Sequence, residues 1–560
     1  VKEFREAVAR IAESAGVSFE AALRVVTVPR ERDRADLTLP CFPFAKALGK
    51  KPPEIAAAIV ATFEPNEWIV SAEAAGPFIN FRISRSAFAQ QLLDSIGPDF
   101  GSSTLGGGEK VVIDFGSPNI AKPLLFHHLR SAVIGQALVR LHNTCGYEAV
   151  GLNYLGDVGT AFGRLIVGIE EWGEPQDIEA FRETYVNASR RCAEDEVWME
   201  RARAWAKRLE EGDEEAERHW EHARAMSLAG FAGVYDRLGV HHDVVDGEKM
   251  YVAAAHEKVE ELLADGRAVE SDGGVIIETG EKVPFLVRKS NGATLYGSRD
   301  IVAAIDRWER YHFARMLYVV DVAQQHYFKQ LFAALKNVGC EWAERCKHVM
   351  FGQVLVGGSR TKTREGDAVQ LEDVLEEGYR RALAIVEEKN PDLANKEEIA
   401  RAVGTAAVIF CDVGFPTAKN INFDWDQIIS FDGRTGPYLQ YVHASASSML
   451  RKGAELPGEG GDATLLAHDT EWELLRRLAE YPGAVERACK DCEPSHVSNF
   501  LYDLARDFRA YHAAGGRDAS LRVLVDDDAV RSARLRLVAA VRSTLANGLR
   551  ILGIEPLEVM

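Results

Sequence analysis

Cysteine is sparse and poorly placed for cross-linking: the 560-residue chain has eight, scattered from Cys41 to Cys492. Their spacing builds no disulfide framework, and the close pair Cys489 and Cys492 lacks a second pair to complete a zinc site. Two thiols one turn apart on a helix is the plainer reading. Also missing is any apolar run long enough to cross a bilayer, and the opening VKEFREAVARIAESAG carries charges throughout. A reduced, cytoplasmic protein with no membrane segment is expected. Positive charge is short as well: 66 Lys and Arg against 85 Asp and Glu leave a formal charge of −19. That argues against a uniformly basic nucleic-acid binder, yet a cationic face for RNA can coexist with an acidic whole.

What is present is apolar content of 47%, enough for three or four domains of ordinary size. Residues 1–100 combine helical stretches with an alternating GPFINFRI, which predicts a small α+β domain ending at the Gly-rich GSSTLGGGEK. From Val111 strands and helices alternate, the signature of a parallel sheet whose ligands lie beyond the carboxyl ends of its strands. A charged helical stretch at about 175–242 interrupts this pattern, and strands return at GGVIIET, PFLVRKS, MLYVVDV and HVMFGQVLV. After Gln370 helical periodicity dominates, which predicts an all-α bundle. The fold class is therefore α/β plus α. The expected divisions are 1–100, a Rossmann-like catalytic domain at 108–350, a helical region with a mobile loop at 351–430, and a bundle at 431–560.

Three loops carry chemistry. SPNIAKP follows the first parallel strand and precedes a helix, where free N–H groups and a positive dipole end suit phosphate. Asn119 is its polar anchor and Lys122 its cation, although the same features would serve to cap a helix. In GATLYGSRD, Tyr296 and Asp300 fall on one helix face, so a phenol stands beside a carboxylate able to grip a guanidinium. The plain alternative is a solvated carboxylate in a first turn. GSRTKTREGDAVQ places Arg360, Lys362 and Arg364 between glycines, where they could close over a polyphosphate or remain a solvated basic loop.

The motifs SPNIAKP, HLRS, NYLGDVGTAFG, TLYGSRDIVAAIDRWERYHF, TKTREGDAVQLEDVLEE and SFDGRTGPYLQYVH stand in one order along the chain. In that order and spacing the chain resembles class I arginyl-tRNA synthetases over essentially its full length. The resemblance implies ATP-dependent joining of L-arginine to its tRNA through an arginyl-adenylate, with Mg2+ accompanying ATP and no protein metal site. It implies an arginine site of Asp114, Ser117, Asn119, His128, Tyr296, Asp300 and Gln324. An ATP site of Lys122, His128, Gly156, Asp157, Gly159, Lys362 and Arg364 follows in the same way. Phe78 and Asn80 would meet the tRNA elbow, and Tyr438, Gln440 and Tyr441 the anticodon end. A monomer is expected.

One signature departs from the family. Where His-x-Gly-His is expected, this chain has Leu125, Phe126, His127 and His128. If the stretch is helical, a two-residue step turns His127 by roughly 200° away from the lost histidine's face. On that reading His127 and Phe126 narrow the shelf on which adenine stacks, Leu125 removes one donor to the triphosphate, and adenylation is slow. A diverged paralogue that binds arginine or tRNA as a regulator, or uses another activated donor, is the alternative. Tyr327, where the family often has histidine, is a further departure.

Overall fold

The alternation in Phe78–Ile83 buries Ile79, Phe81 and Ile83 on one face. This strand is the centre of an antiparallel sheet, flanked by Leu37–Pro40 and Ile69–Ala75. Helices Lys2–Glu13, Phe19–Val25, Pro52–Ala61 and Arg85–Ser95 complete the N-terminal unit. The computed structural model describes all residues except 1, 30, 32–33, 121, 282, 290–294, 357–358, 361–368 and 455–460.

Five strands then form a parallel sheet: β1 (Lys110–Asp114), β2 (Glu148–Leu155), β3 (Val244–Gly247), β4 (Arg315–Asp321) and β5 (Cys346–Phe351). Their spatial order is β5-β4-β1-β2-β3. The chain winds outward from β1 through β2 to β3 and then returns to the other side of β1. The order therefore reverses between β1 and β4, and the crevice beyond their carboxyl ends is where such a sheet takes its ligand. Helix α1 (His128–Thr144) crosses from β1 to β2 and is buried on nearly every side, so its start is fixed relative to the strand ends. Helix α2 (Thr160–Trp172) follows β2, and the expected insertion is three helices, Ile178–Glu194, Glu196–Glu210 and Glu214–Leu238.

Three details differ from the sequence expectation. Strand β3 appears directly after the insertion, unannounced because only four residues of HHDVVDGEK are extended. Strands Gly274–Ile277 and Phe285–Arg288 leave the parallel sheet and join Val269–Ser271 in a small antiparallel one. Within the region expected to be helical, Ile421–Phe423 pairs in parallel with Val354–Val356.

Helices α3 (Tyr296–Tyr311) and α4 (Gln325–Asn337) flank β4, and α5 (Lys396–Val413) leads toward the bundle opened by α6 (Gly436–Ala454). Arg130 of α1 and Asp412 of α5 form an ion pair of 2.5 Å, each 1% exposed, which locks the sheet to the helical half. Phe88 packs edge-on against Trp472 of the bundle at 5.1 Å, tying the N-terminal unit to it. Among the described residues no helix is long and apolar enough to cross a membrane.

Candidate active site at the β1/β4 crevice

A cleft of about 310 Å³ opens at the strand reversal. Asp114 and Ser117 line it from the end of β1, Asn119 and Gly156 from the adjoining loops, Tyr296 and Asp300 from α3, and Gln324 from the turn after β4. Six of the seven residues expected at the arginine site thus share one cavity. His128, the seventh, does not line it.

The loop after β1 is held in a costly conformation. Ser117 sits at φ 44°, a left-handed backbone uncommon for a residue with a side chain. Its N–H donates to Asn153 Oδ1 at 3.1 Å and its Oγ–H to Asp114 Oδ1 at 2.9 Å, so buried neighbours over-determine it. Asn119 bridges to Gly156, where a Cβ would lie 2.3 Å from Asn119 Oδ1. A Cβ at Gly156 would displace the side chain of Asn119, which already fills the space.

Charges in the cleft are nearly all paired. Asp114, expected as a carboxylate for the substrate, lies 2.9 Å from Arg307 and also holds Ser117, so it is not free. Burial pushes its carboxyl upward and Arg307 opposes that. Glu248 pairs with Arg299 at 2.7 Å. Asp300 has no cation within ion-pair distance among the described residues; it accepts a hydrogen bond from the Tyr327 hydroxyl. Burial pushes its carboxyl up to about 7, the Tyr327 bond opposes this, and Glu248 adds to it. The cleft therefore offers one unneutralised carboxylate, beside the aromatic rings of Tyr296 and Tyr327, whose centroids are 5.2 Å apart.

Sequence reasoning missed Glu248 and Arg307. Arg307 was within reach, since it stands two helical turns beyond Asp300 and faces the same way. Glu248 follows β3, the strand that the sequence did not announce.

The stretch Leu125–His127 is not helical, so the expected 200° rotation does not apply: α1 begins at His128. Leu125 pairs with Gln370, and the Phe126 N–H donates to the Val369 carbonyl at 3.0 Å. Phe126 is 2% exposed and packs edge-on against Phe423 at 4.7 Å, so it turns into the core and narrows nothing. His127 is exposed, and its ring lies 4.1 Å from that of His128. His128 Nδ1 accepts the Leu125 N–H at 2.8 Å. Burial, then His127, holds this ring neutral, down to about 3.

Other expected residues divide. Asp157 is 1% exposed, accepts the Lys249 N–H at 2.8 Å and abuts Gly247, which makes it a buried tie between loops and not an ATP contact. Gly159, at φ 92°, starts α2. Lys362 and Arg364 lie outside the described residues, but the segment that resumes at Val369 is bonded to Phe126, at the threshold of α1. Phe78 is 39% exposed and meets the exposed Phe42 ring at 5.6 Å, while half-buried Asn80 accepts from Thr38 Oγ1 at 3.2 Å. On α6, Tyr441 is exposed beneath the Arg509 guanidinium. Tyr438 is buried, and Gln440 is fully buried with its amide donating to the Glu555 carbonyl at 2.8 Å. Consecutive helical residues turn by about 100°, so Gln440 and Tyr441 cannot share a face, and Gln440 is corrected from RNA contact to structural tie.

Residues 99–425 match the family described as tRNA synthetases class I (R), catalytic domain. Residues 439–560 match the DALR anticodon binding domain and residues 2–83 the arginyl tRNA synthetase N terminal domain. The chain is 38% identical over 546 residues to the arginine–tRNA ligase of Halothermothrix orenii, covering 96% of this chain and 95% of that one. It is also 38% identical over 567 residues to the arginine–tRNA ligase of Ligilactobacillus salivarius, covering 99% of each. The solved arginyl-tRNA synthetase of Thermus thermophilus superposes with a TM-score of 0.79 at 28% identity, covering 99% of both chains.

Proposed function

The chain belongs to the class I arginyl-tRNA synthetases, and we propose that the β1/β4 cleft receives the side chain of L-arginine with Asp300 as its guanidinium partner. The observation that carries this is the charge balance: Asp114 and Glu248 are already paired, and Asp300 is the carboxylate left over. A buried carboxylate without a cation is unfavourable, and a planar guanidinium relieves it with charge-assisted hydrogen bonds. Tyr296 offers a ring face to that cation, Gln324 lines the same side-chain pocket, and Ser117 and Asn119 meet the polar amino-acid head.

ATP lies beyond the start of α1, where Lys122 supplies positive charge and His128, its Nδ1 occupied, keeps its proton on Nε2 as a donor. Gly156 and Gly159 shape the adjoining loop, and Lys362 and Arg364, which the family resemblance assigns to the ATP site, would add positive charge for the triphosphate. Mg2+ comes with the triphosphate; among the described residues no three His, Cys, Asp or Glu side chains gather to hold a metal. Phe42, Phe78 and Tyr441 are the exposed aromatics offered to arginine tRNA. A cytoplasmic monomer serving protein synthesis completes this reading. The full-length relatives are ligases, so the regulator alternative is not favoured.

Calorimetric titration with free L-arginine tests the pocket. The unmodified chain should bind, and Asp300→Ala should not, because a guanidinium buried without its carboxylate is strongly disfavoured. Equal affinity in the two proteins removes the assignment.

A further inference from the structure

We propose that His127 supplies an imidazole donor to the phosphates of ATP, working beside His128. This rests on the ATP reading above and extends it to a residue that the family signature does not provide.

The placement follows from where the helix begins. Because α1 starts at His128, the three preceding side chains leave a turn in different directions. Leu125 is held by its backbone bridge to Gln370, Phe126 enters the core against Phe423, and His127 is left facing solvent at the helix mouth. Its ring inclines at 42° to that of His128, with centroids 4.1 Å apart, so the two imidazoles form one surface. Lys122 is near enough to act electrostatically on both rings, and Asp321, at the end of β4, acts on His127. Positive charge here comes from the ammonium group and the end of α1, while burial favours the neutral form of both imidazoles and leaves them as N–H donors; one carboxylate, Asp321, stands nearby and accepts the Ala323 N–H at 2.7 Å. Such a surface suits a polyanion better than the flat, uncharged face of a purine.

In the reaction, an oxygen of the arginine carboxylate bonds to the α-phosphorus while the bond from that phosphorus to the bridging oxygen breaks. Pyrophosphate leaves with the electron pair. Negative charge grows on the phosphate oxygens during this exchange, and an N–H donor already in position stabilises it.

The test is arginine- and tRNA-dependent pyrophosphate exchange by the full chain, in four forms: unmodified, His127→Gly, Leu125→His, and both changes together. His127→Gly should lower kcat by about 100-fold, the scale of one lost donor of this kind, with a smaller change in KM for ATP. Arginine affinity, measured on the same preparations, should stay unchanged and shows that the fold is intact. Adding Leu125→His to His127→Gly should recover most of the loss, because the pair of changes restores the His-x-Gly-His signature of the family. A rate that stays equal or rises in His127→Gly overturns the proposal and makes His127 an obstruction to adenine. Absence of exchange in all four proteins while arginine still binds removes the ATP reading itself, and the proposal with it. Loss of arginine binding in the unmodified chain instead removes the pocket reading.

Discussion

The Tyr327 hydroxyl donates a hydrogen bond to the Asp300 carboxylate, so the acid proposed as the guanidinium partner has a neutral donor beside it. Burial makes Asp300 easy to protonate, the Tyr327 bond works against that, and the balance gives arginine binding a pH dependence with a definite sign.

Burial pushes the Asp300 carboxyl up to about 7, and a bound guanidinium requires it ionised. Arginine affinity should therefore rise about tenfold per pH unit up to pH 7 and flatten above it. For folding stability the sign is opposite. A carboxyl raised above its unfolded value adds stability below about pH 4 that is lost as pH rises through 7. Asp300→Asn should then unfold at a higher temperature than the unmodified chain at pH 8 and show a smaller gain at pH 5. Parallel melting curves at the two pH values decide this.

Tyr327→Phe removes the only hydroxyl that steadies the ionised form of Asp300 among the described residues. The titration of Asp300 should move upward, and arginine affinity at pH 7 should fall by about 10-fold or more, the scale of a hydrogen bond to a charged group. The loss should shrink at pH 9. A deficit that is the same at both pH values would assign Tyr327 a packing role only.

Gly156→Ala tests the fit of the loop. The added methyl would stand 2.3 Å from Asn119 Oδ1, the end of a movable side chain, so the fold should survive with a stability change of about 1 kcal/mol or less. Asn119 must swing aside, and arginine affinity should fall at least about tenfold. Calorimetry beside a melting curve separates the two effects.

Neighbouring residues on α6 should behave oppositely. Tyr441→Ala should weaken tRNA binding by about 1 kcal/mol or more, as for a lost stacking ring, and leave the melting temperature unchanged. Gln440→Ala should destabilise the bundle by about 1–3 kcal/mol, since it orphans the Glu555 carbonyl. Filter binding and thermal unfolding of both variants check the division, and binding of the unmodified chain should weaken as salt rises.

The local periods of the sequence determined a great deal. The alternation in Phe78–Ile83, the strand–helix rhythm from Val111 and the one-face spacing of Tyr296 and Asp300 are short-range properties, fixed by backbone geometry within a few residues. Ligands collect beyond strand ends in this kind of sheet, so the SPNIAKP loop was legible as a ligand loop, while the gathering of Ser117, Asn119, Asp300 and Gln324 into one site came from the resemblance to the family. What the tertiary structure alone decided depends on partners far along the chain. Leu125 pairs with Gln370, which sets where α1 begins and therefore turns Phe126 inward and His127 outward. Asp114 meets Arg307, Glu248 meets Arg299, and Gln440 meets Glu555, each pair also far apart along the chain. A period of 3.6 or 2 residues says which face a side chain occupies, but which charge or carbonyl waits on that face is set by the packing of elements that the sequence lists far apart.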